Sequence, residues 1–170
     1  HNSGRDGFIM MISREGAVLS LQSFDRGVLT SVKCTKAGGF AASGATAFFD
    51  NEAKNGLFIL GNSEGVITKV LQLEINHRNV ISYSFEEELP GLFVVTYDAN
   101  LRVDDFKYRT LVLAWIDVRR DTPSITVNHI PLEGKSGDTW TQTRAIFKSP
   151  HGGLNIAGHM RKRGNPISFF

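Results

Sequence analysis

Residues 80–102 read VISYSFEEELPGLFVVTYDANLR. The chain continues as YRTLVLAWIDVRRD (108–121), SITVNHIPL (124–132), GDTWTQTRAIFKSPHGG (137–153), LNIAGHMRKRG (154–164) and NPISFF (165–170). Each piece is a short apolar or alternating run, and Pro, Gly, Asp or Asn separates it from the next. β-Branched and aromatic side chains suit a pleated strand, whereas the separating residues suit tight turns. The pattern predicts strand after strand, with no stretch periodic enough for a helix.

The same grammar extends toward the start of the chain. GFIMMIS (7–13), a turn at Arg14-Glu15-Gly16 and AVLSLQSF (17–24) predict a β-hairpin. Val28 to Cys34 alternates as a strand with one buried face. AGGFAASGATAFF (37–49) carries three glycines, each costing a helix interior about 1 kcal/mol relative to Ala, so it reads as a loop followed by a strand at 45–49. GLFILGNSEGVITKVLQLEI (56–75) predicts a second hairpin closed around Asn62-Ser63-Glu64-Gly65. Its return strand mixes apolar and polar residues on both sides, so one face is expected to be only partly covered. Asn76-His77-Arg78-Asn79 is a further turn.

A dozen short strands in a chain of this length predict a single all-β domain over residues 1–170, built as an antiparallel two-sheet β-sandwich of jelly-roll type. Strand parity places Phe93, Val95, Val112, Ile116, Phe147, Leu154 and Ile156 in its core. Gly-apolar pairs recur at Gly7-Phe8, Gly56-Leu57, Gly91-Leu92 and Gly153-Leu154, but their unequal spacing makes a β-propeller fragment the minor alternative. Phe169-Phe170 closes the chain on an apolar strand, so it is expected to be a segment of a longer polypeptide.

Composition narrows the function classes. Nineteen Lys and Arg against 17 Asp and Glu leave a formal charge of +2, and the basic residues are scattered, so no nucleic-acid footprint emerges. One cysteine, Cys34, excludes an internal disulfide and reads as a small buried hydrophobe. No apolar run approaches the roughly 20 residues of a membrane-spanning helix. Catalytic signatures are missing too: there is no nucleophile elbow, no H-E-x-x-H, no phosphate loop and no zinc spacing. Glu86-Glu87-Glu88 and Asp104-Asp105 read as solvated rims, and no histidines pair at ligand spacing.

From Val80 onward, the order of features resembles the carbohydrate-binding modules of the galactose-binding-domain-like jelly-roll class. The likeness lies in ELPGLFVVTYDANL, TLVLAWIDV, SITVNHIPLEGKSGD, the spacing of Trp140, Phe147, Pro150, Leu154 and Ile156, and the short final PISFF. It covers a little over half of the chain. The resemblance implies a non-catalytic module that binds an oligosaccharide or glycoconjugate, in an extracellular, cell-surface or virion-associated setting. In that family the last strand continues into acidic residues that help hold a structural calcium; Phe170 ends this chain, so calcium is not carried over and no cofactor is expected.

Strand parity then selects a candidate ligand site. Trp140, Gln142 and Arg144 alternate with Thr143, Ala145 and Phe147, while Asn155, His159 and Arg161 alternate with Leu154, Ile156 and Met160. If Phe147 and Ile156 face the core, the six polar or aromatic residues Trp140, Gln142, Arg144, Asn155, His159 and Arg161 face outward. An aromatic plane beside amide and guanidinium donors suits a sugar ring. Trp115, by the parity of its run, packs inward. The alternative function is a protein–protein interaction or adhesion sandwich with no sugar affinity. An exposed aromatic in a concave polar groove would favour the first, and a flat apolar patch the second.

Overall fold

The computed structural model describes residues 7–24, 27–46, 55–75, 78–103, 106–130, 140–162 and 165–169. Thirteen strands are present: β1 (Gly7–Ile12), β2 (Val18–Phe24), β3 (Gly27–Cys34), β4 (Phe40–Thr46), β5 (Gly56–Gly61), β6 (Ile67–Leu73), β7 (Arg78–Leu89), β8 (Leu92–Val103), β9 (Phe106–Asp117), β10 (Ser124–Ile130), β11 (Trp140–Lys148), β12 (Leu154–Lys162) and β13 (Asn165–Phe169). All pairings are antiparallel, and no helix occurs among the described residues. The all-β antiparallel class expected from the sequence is therefore observed.

The sheet organisation differs from the expected one. Two sheets were predicted; the strands form four, with orders β1-β2, β3-β4-β5-β6, β7-β8-β9-β10 and β11-β12-β13. A jelly roll interleaves strands that are distant in the chain. Here every hydrogen-bonded neighbour among the described residues is consecutive, so each sheet is a simple meander. The cause is local: tight turns pair each strand with the next before any longer connection can intervene.

Successive sheets lie face on face. Ala41, Phe58, Leu73 and Ile75 of the second sheet and its trailing segment pack with Phe85, Phe93, Val95, Tyr97, Val112, Ala114 and Ile116 of the third. The opposite side of the second sheet buries Ala42, Leu57 and Ile59 beneath Ile9 and Phe24 of the first hairpin. Beyond the third sheet, β11 packs across β7, β8 and β9, with Thr143 and Ile146 buried. The central strands β4, β5, β8 and β9 are thus covered on both faces, while the outer strands β3, β6 and β10 keep an exposed side, with Val32 at 61% and Val70 at 50%. Strands buried on two sides need apolar residues at every position, which is why VVTY and WIDV show no clean alternation.

Layering also explains β4. Its middle, AASGA, has no β-branched or aromatic side chain, and a loop up to a strand at 45–49 was expected, of which 47–49 lie outside the described residues. The strand begins at Phe40 because Ala41, Ala42, Ser43, Gly44 and Ala45 are all buried, and only small side chains let sheets approach from both sides. The ring of Phe58 lies 5.6 Å from that of Phe85 and 5.0 Å from that of Phe93, filling the space that the alanines leave. Small residues here serve the packing, at the expense of local propensity.

A polar seam crosses this junction. The Ser82 hydroxyl donates to Ser43 Oγ at 2.8 Å, with both serines fully buried, and the Thr30 hydroxyl is shared between the carbonyls of Ser43 and Ser82. Thr30 is the extra residue of a bulge between Leu29 and Ser31, which turns its side chain toward the next sheet. Nearby, the Tyr97 hydroxyl donates to the Leu57 carbonyl at 3.3 Å, and burial pushes its ionisation well above the ordinary phenol value. Gly56 is required beside it, since a Cβ there would stand 2.7 Å from the Tyr97 ring.

Two further expectations are corrected. Cys34, predicted to be buried, is exposed at the end of β3. Phe147, predicted in the core, is 50% exposed, while its neighbour Ile146 is buried. The register slips between Thr143 and Ala145, where Arg144 is the added residue, so the inward set shifts by one position. Phe93, Val95, Val112 and Ile116 are buried as expected, and Leu154 and Ile156 are half-buried.

Candidate functional site

β11 and β12, which carry the predicted ligand residues, are hydrogen-bonded neighbours. In their register Trp140 stands opposite Arg161, Gln142 opposite His159, and Phe147 opposite Asn155. The side chains of Trp140, Gln142 and Arg161 lie outside the described residues. Asn155 and Phe147 are exposed and His159 is half-buried. Four of the six predicted residues therefore form two facing pairs on one strand pair, while Asn155 faces Phe147. Arg144 is exposed at the bulge and has no directly opposed residue.

Thr143 holds β11 to the sheet beneath. Its amide and its hydroxyl each donate to the Asp98 carboxylate at 3.3 Å, with both residues buried. An exposed strand pair is thereby anchored by a buried charge-assisted contact.

A concave feature, absent from the sequence reading, lies at the turn end of the second and third sheets. It is a pocket of about 310 Å³ whose lining includes the apolar Phe40, Phe93 and Val118 and the polar Thr35, Asn62, Ser63 and Glu87. Glu87, only 8% exposed, accepts from the amide of Lys36 at 2.5 Å and from that of Gly91 at 3.1 Å. The Lys36 ammonium in turn reaches the carbonyls of Glu87 and Glu88, at 2.8 and 3.1 Å. The middle glutamate of an apparent solvated run is thus a clip that joins the β3–β4 turn to the β7–β8 turn. Its neighbour Glu86 makes a half-exposed pair with Lys33 at 3.3 Å. Asp104 and Asp105 lie outside the described residues.

Four of the turns share one construction, and two of them, at 14–16 and 62–65, were expected from the sequence. Ser13, Thr35, Asn62 and Ser149 each begin an S/T/N-x-x-Gly stretch whose glycine amide donates to the first residue's carbonyl. The side-chain oxygen of that first residue accepts from backbone amides two or four positions on, as Asn62 Oδ1 does from Glu64 and Val66 at 3.1 and 2.9 Å. This is a type I turn closed by a left-handed residue, for which glycine is the default. Gly65 has φ +79°, and a Cβ there would also strike Ser20 Oγ at 2.3 Å, so the turn doubles as a seat for the first hairpin.

Hairpin β1–β2 carries six of the twelve exposed large hydrophobic side chains among the described residues. Phe8, Met10 and Ile12 on β1 and Val18, Leu19 and Leu21 on β2 are all exposed, with Phe8 and Leu21 at 63%. Met10 stands opposite Leu21, and a register shift beside Ile12 brings Val18 opposite it. Among the described residues no three His, Cys, Asp or Glu side chains converge to hold a metal ion. Of the basic clusters, Arg119 is engaged by Asp117 through two contacts at 2.8 and 2.5 Å, which hold the Asp117 carboxyl at about 2. No helix among the described residues is long and apolar enough to cross a membrane. No protein-family model, curated protein or solved structure matches this chain.

Proposed function

We propose that this chain is a non-catalytic protein-interaction module whose contact surface is the outer face of β1–β2, covered in use by another antiparallel sheet laid face to face. The observation that carries this reading is the run of exposed apolar side chains on that hairpin, the kind of surface that favours the protein-interaction alternative. Its partner chemistry follows from the molecule itself, in which the first and second sheets, and the second and third, are joined through apolar faces. Serial four-strand meanders stacked in chain order are also how propeller blades are arranged, so we read the module as a run of blade-like sheets. Methionine oxidation tests the surface. At submicromolar protein, peroxide is expected to oxidise Met10, 42% exposed, well before Met11, which faces the seat at Gly65. Equal rates would mean that the chain covers this face itself, and the reading would fail.

Glycan binding at β11–β12 is the second reading, favoured by the register that sets Trp140 against Arg161 and Gln142 against His159. Oligosaccharide titration is expected to give binding that Trp140→Ala and Asn155→Ala weaken; affinity unchanged by both would remove this strand pair from consideration.

A further inference from the structure

We infer that the outer face of β1–β2 is a homodimer interface, occupied by the same face of a second copy of this chain. The inference rests on the interaction reading above and names the partner. Three observations carry it.

The first is composition. GFIMMI and VLSLQSF contain no charged residue, although strands that end in solvent ordinarily carry lysine or other charges that discourage association. The outward side alternates cleanly with the covered side along β1: Phe8, Met10 and Ile12 are exposed, while Gly7, Ile9 and Met11 are half-buried. A face without charge offers a partner no electrostatic selection and sets up no like-charge repulsion against its own copy, so a two-fold axis can bring the same patch of two chains together.

The second is continuity with an existing interface. Beneath the hairpin, Ile9 and Phe24 pack on Ala42, Leu57 and Ile59. Gln22 Oε1 also accepts from the Ile67 amide at 2.8 Å, and the Ser20 hydroxyl donates to the Gly65 carbonyl at 3.4 Å. The hairpin is therefore a preorganised layer, and ordering it on association costs little. Its free face is two strands wide. A second hairpin matches that width strand for strand.

The third is area. Six large side chains at these exposures offer on the order of 600 Å² of apolar surface, close to the roughly 800 Å² per partner of a standard stable interface. That supports association on the order of micromolar dissociation constants, the weak end for such areas.

The test combines sedimentation equilibrium with the Met10 oxidation rate across protein concentration, under reducing conditions so that the exposed Cys34 cannot cross-link. Wild type is expected to pass from monomer to dimer in the micromolar range, with Met10 becoming protected in parallel. Leu21→Lys, which sets a charge against Met10 at the centre of the face, is expected to weaken the dimer by roughly 30-fold or more and abolish the protection. Thr126→Lys, on the exposed side of β10, serves as the control and is expected to change neither. A chain that stays monomeric to high concentration while Met10 reacts fast overturns the homodimer and leaves the interaction reading standing. Slow Met10 oxidation in a monomer at every concentration overturns both. A dimer that Leu21→Lys leaves intact, with the variant folded by circular dichroism, places the interface elsewhere and overturns the inference.

Discussion

Removing the Glu87 carboxylate tests whether the turn end of the molecule is held by the clip described above. In Glu87→Ala the amides of Lys36 and Gly91 both lose their acceptor. A buried donor left unsatisfied costs about 1–3 kcal/mol, and water reaches these partly buried amides to some extent, so a combined loss of about 3 kcal/mol is expected. For a domain of this size that corresponds to a fall of roughly 6–12 °C in Tm. Urea unfolding followed by tryptophan fluorescence gives the free energy, and amide hydrogen exchange at Lys36 and Gly91 should quicken specifically. Glu86→Ala is the internal comparison: its pair with Lys33 is partly solvated, and such pairs contribute about 0–1 kcal/mol. If Glu87→Ala proved no more destabilising than Glu86→Ala, the two amide bonds would contribute nothing, and the clip would be a geometric coincidence.

The bulge at Arg144 makes a paired prediction for β11. Ile146→Ala should cost about 2–5 kcal/mol because the side chain is buried, whereas Phe147→Ala should cost under about 1 kcal/mol because half of that ring already meets solvent; the reverse order in denaturant midpoints would restore the parity read from sequence. Tyr97 predicts an alkaline limit. Its folded-state ionisation is raised above the ordinary 10.0, so stability is complete below that pH and declines above it, where only the unfolded chain deprotonates. Tyr97→Phe should flatten the decline, at a cost of about 1 kcal/mol near neutrality for the lost bond to Leu57. An unchanged slope above pH 10 would show that another group governs it.

Much of the local structure could be read without coordinates. The hairpins at Arg14-Glu15-Gly16 and Asn62-Gly65 and the strand from Val28 are present as expected, because turn chemistry and β-branched runs act over a few residues. The two strands carrying the ligand candidates were read as strands, but that they are hydrogen-bonded neighbours was decided only by the structure. What failed was parity beyond the bulge: one added residue at Arg144 inverts every later side chain of β11, and no feature of TQTRAIF announces it. Glu87 was missed because its role depends on Lys36 and Gly91, distant or unremarkable in sequence, arriving at its two oxygens.

The sequence by itself determined an all-β chain of antiparallel hairpins, since alternation, turn residues and the S/T/N-x-x-Gly stretches operate between near neighbours. Only the tertiary structure decided that there are four sheets, that β4 is a strand, and that both sides of β8 and β9 are interior. Those outcomes depend on which faces meet across the layers. A strand covered on one side and a strand covered on both obey the same local rules, and they differ only in what the rest of the chain lays against them.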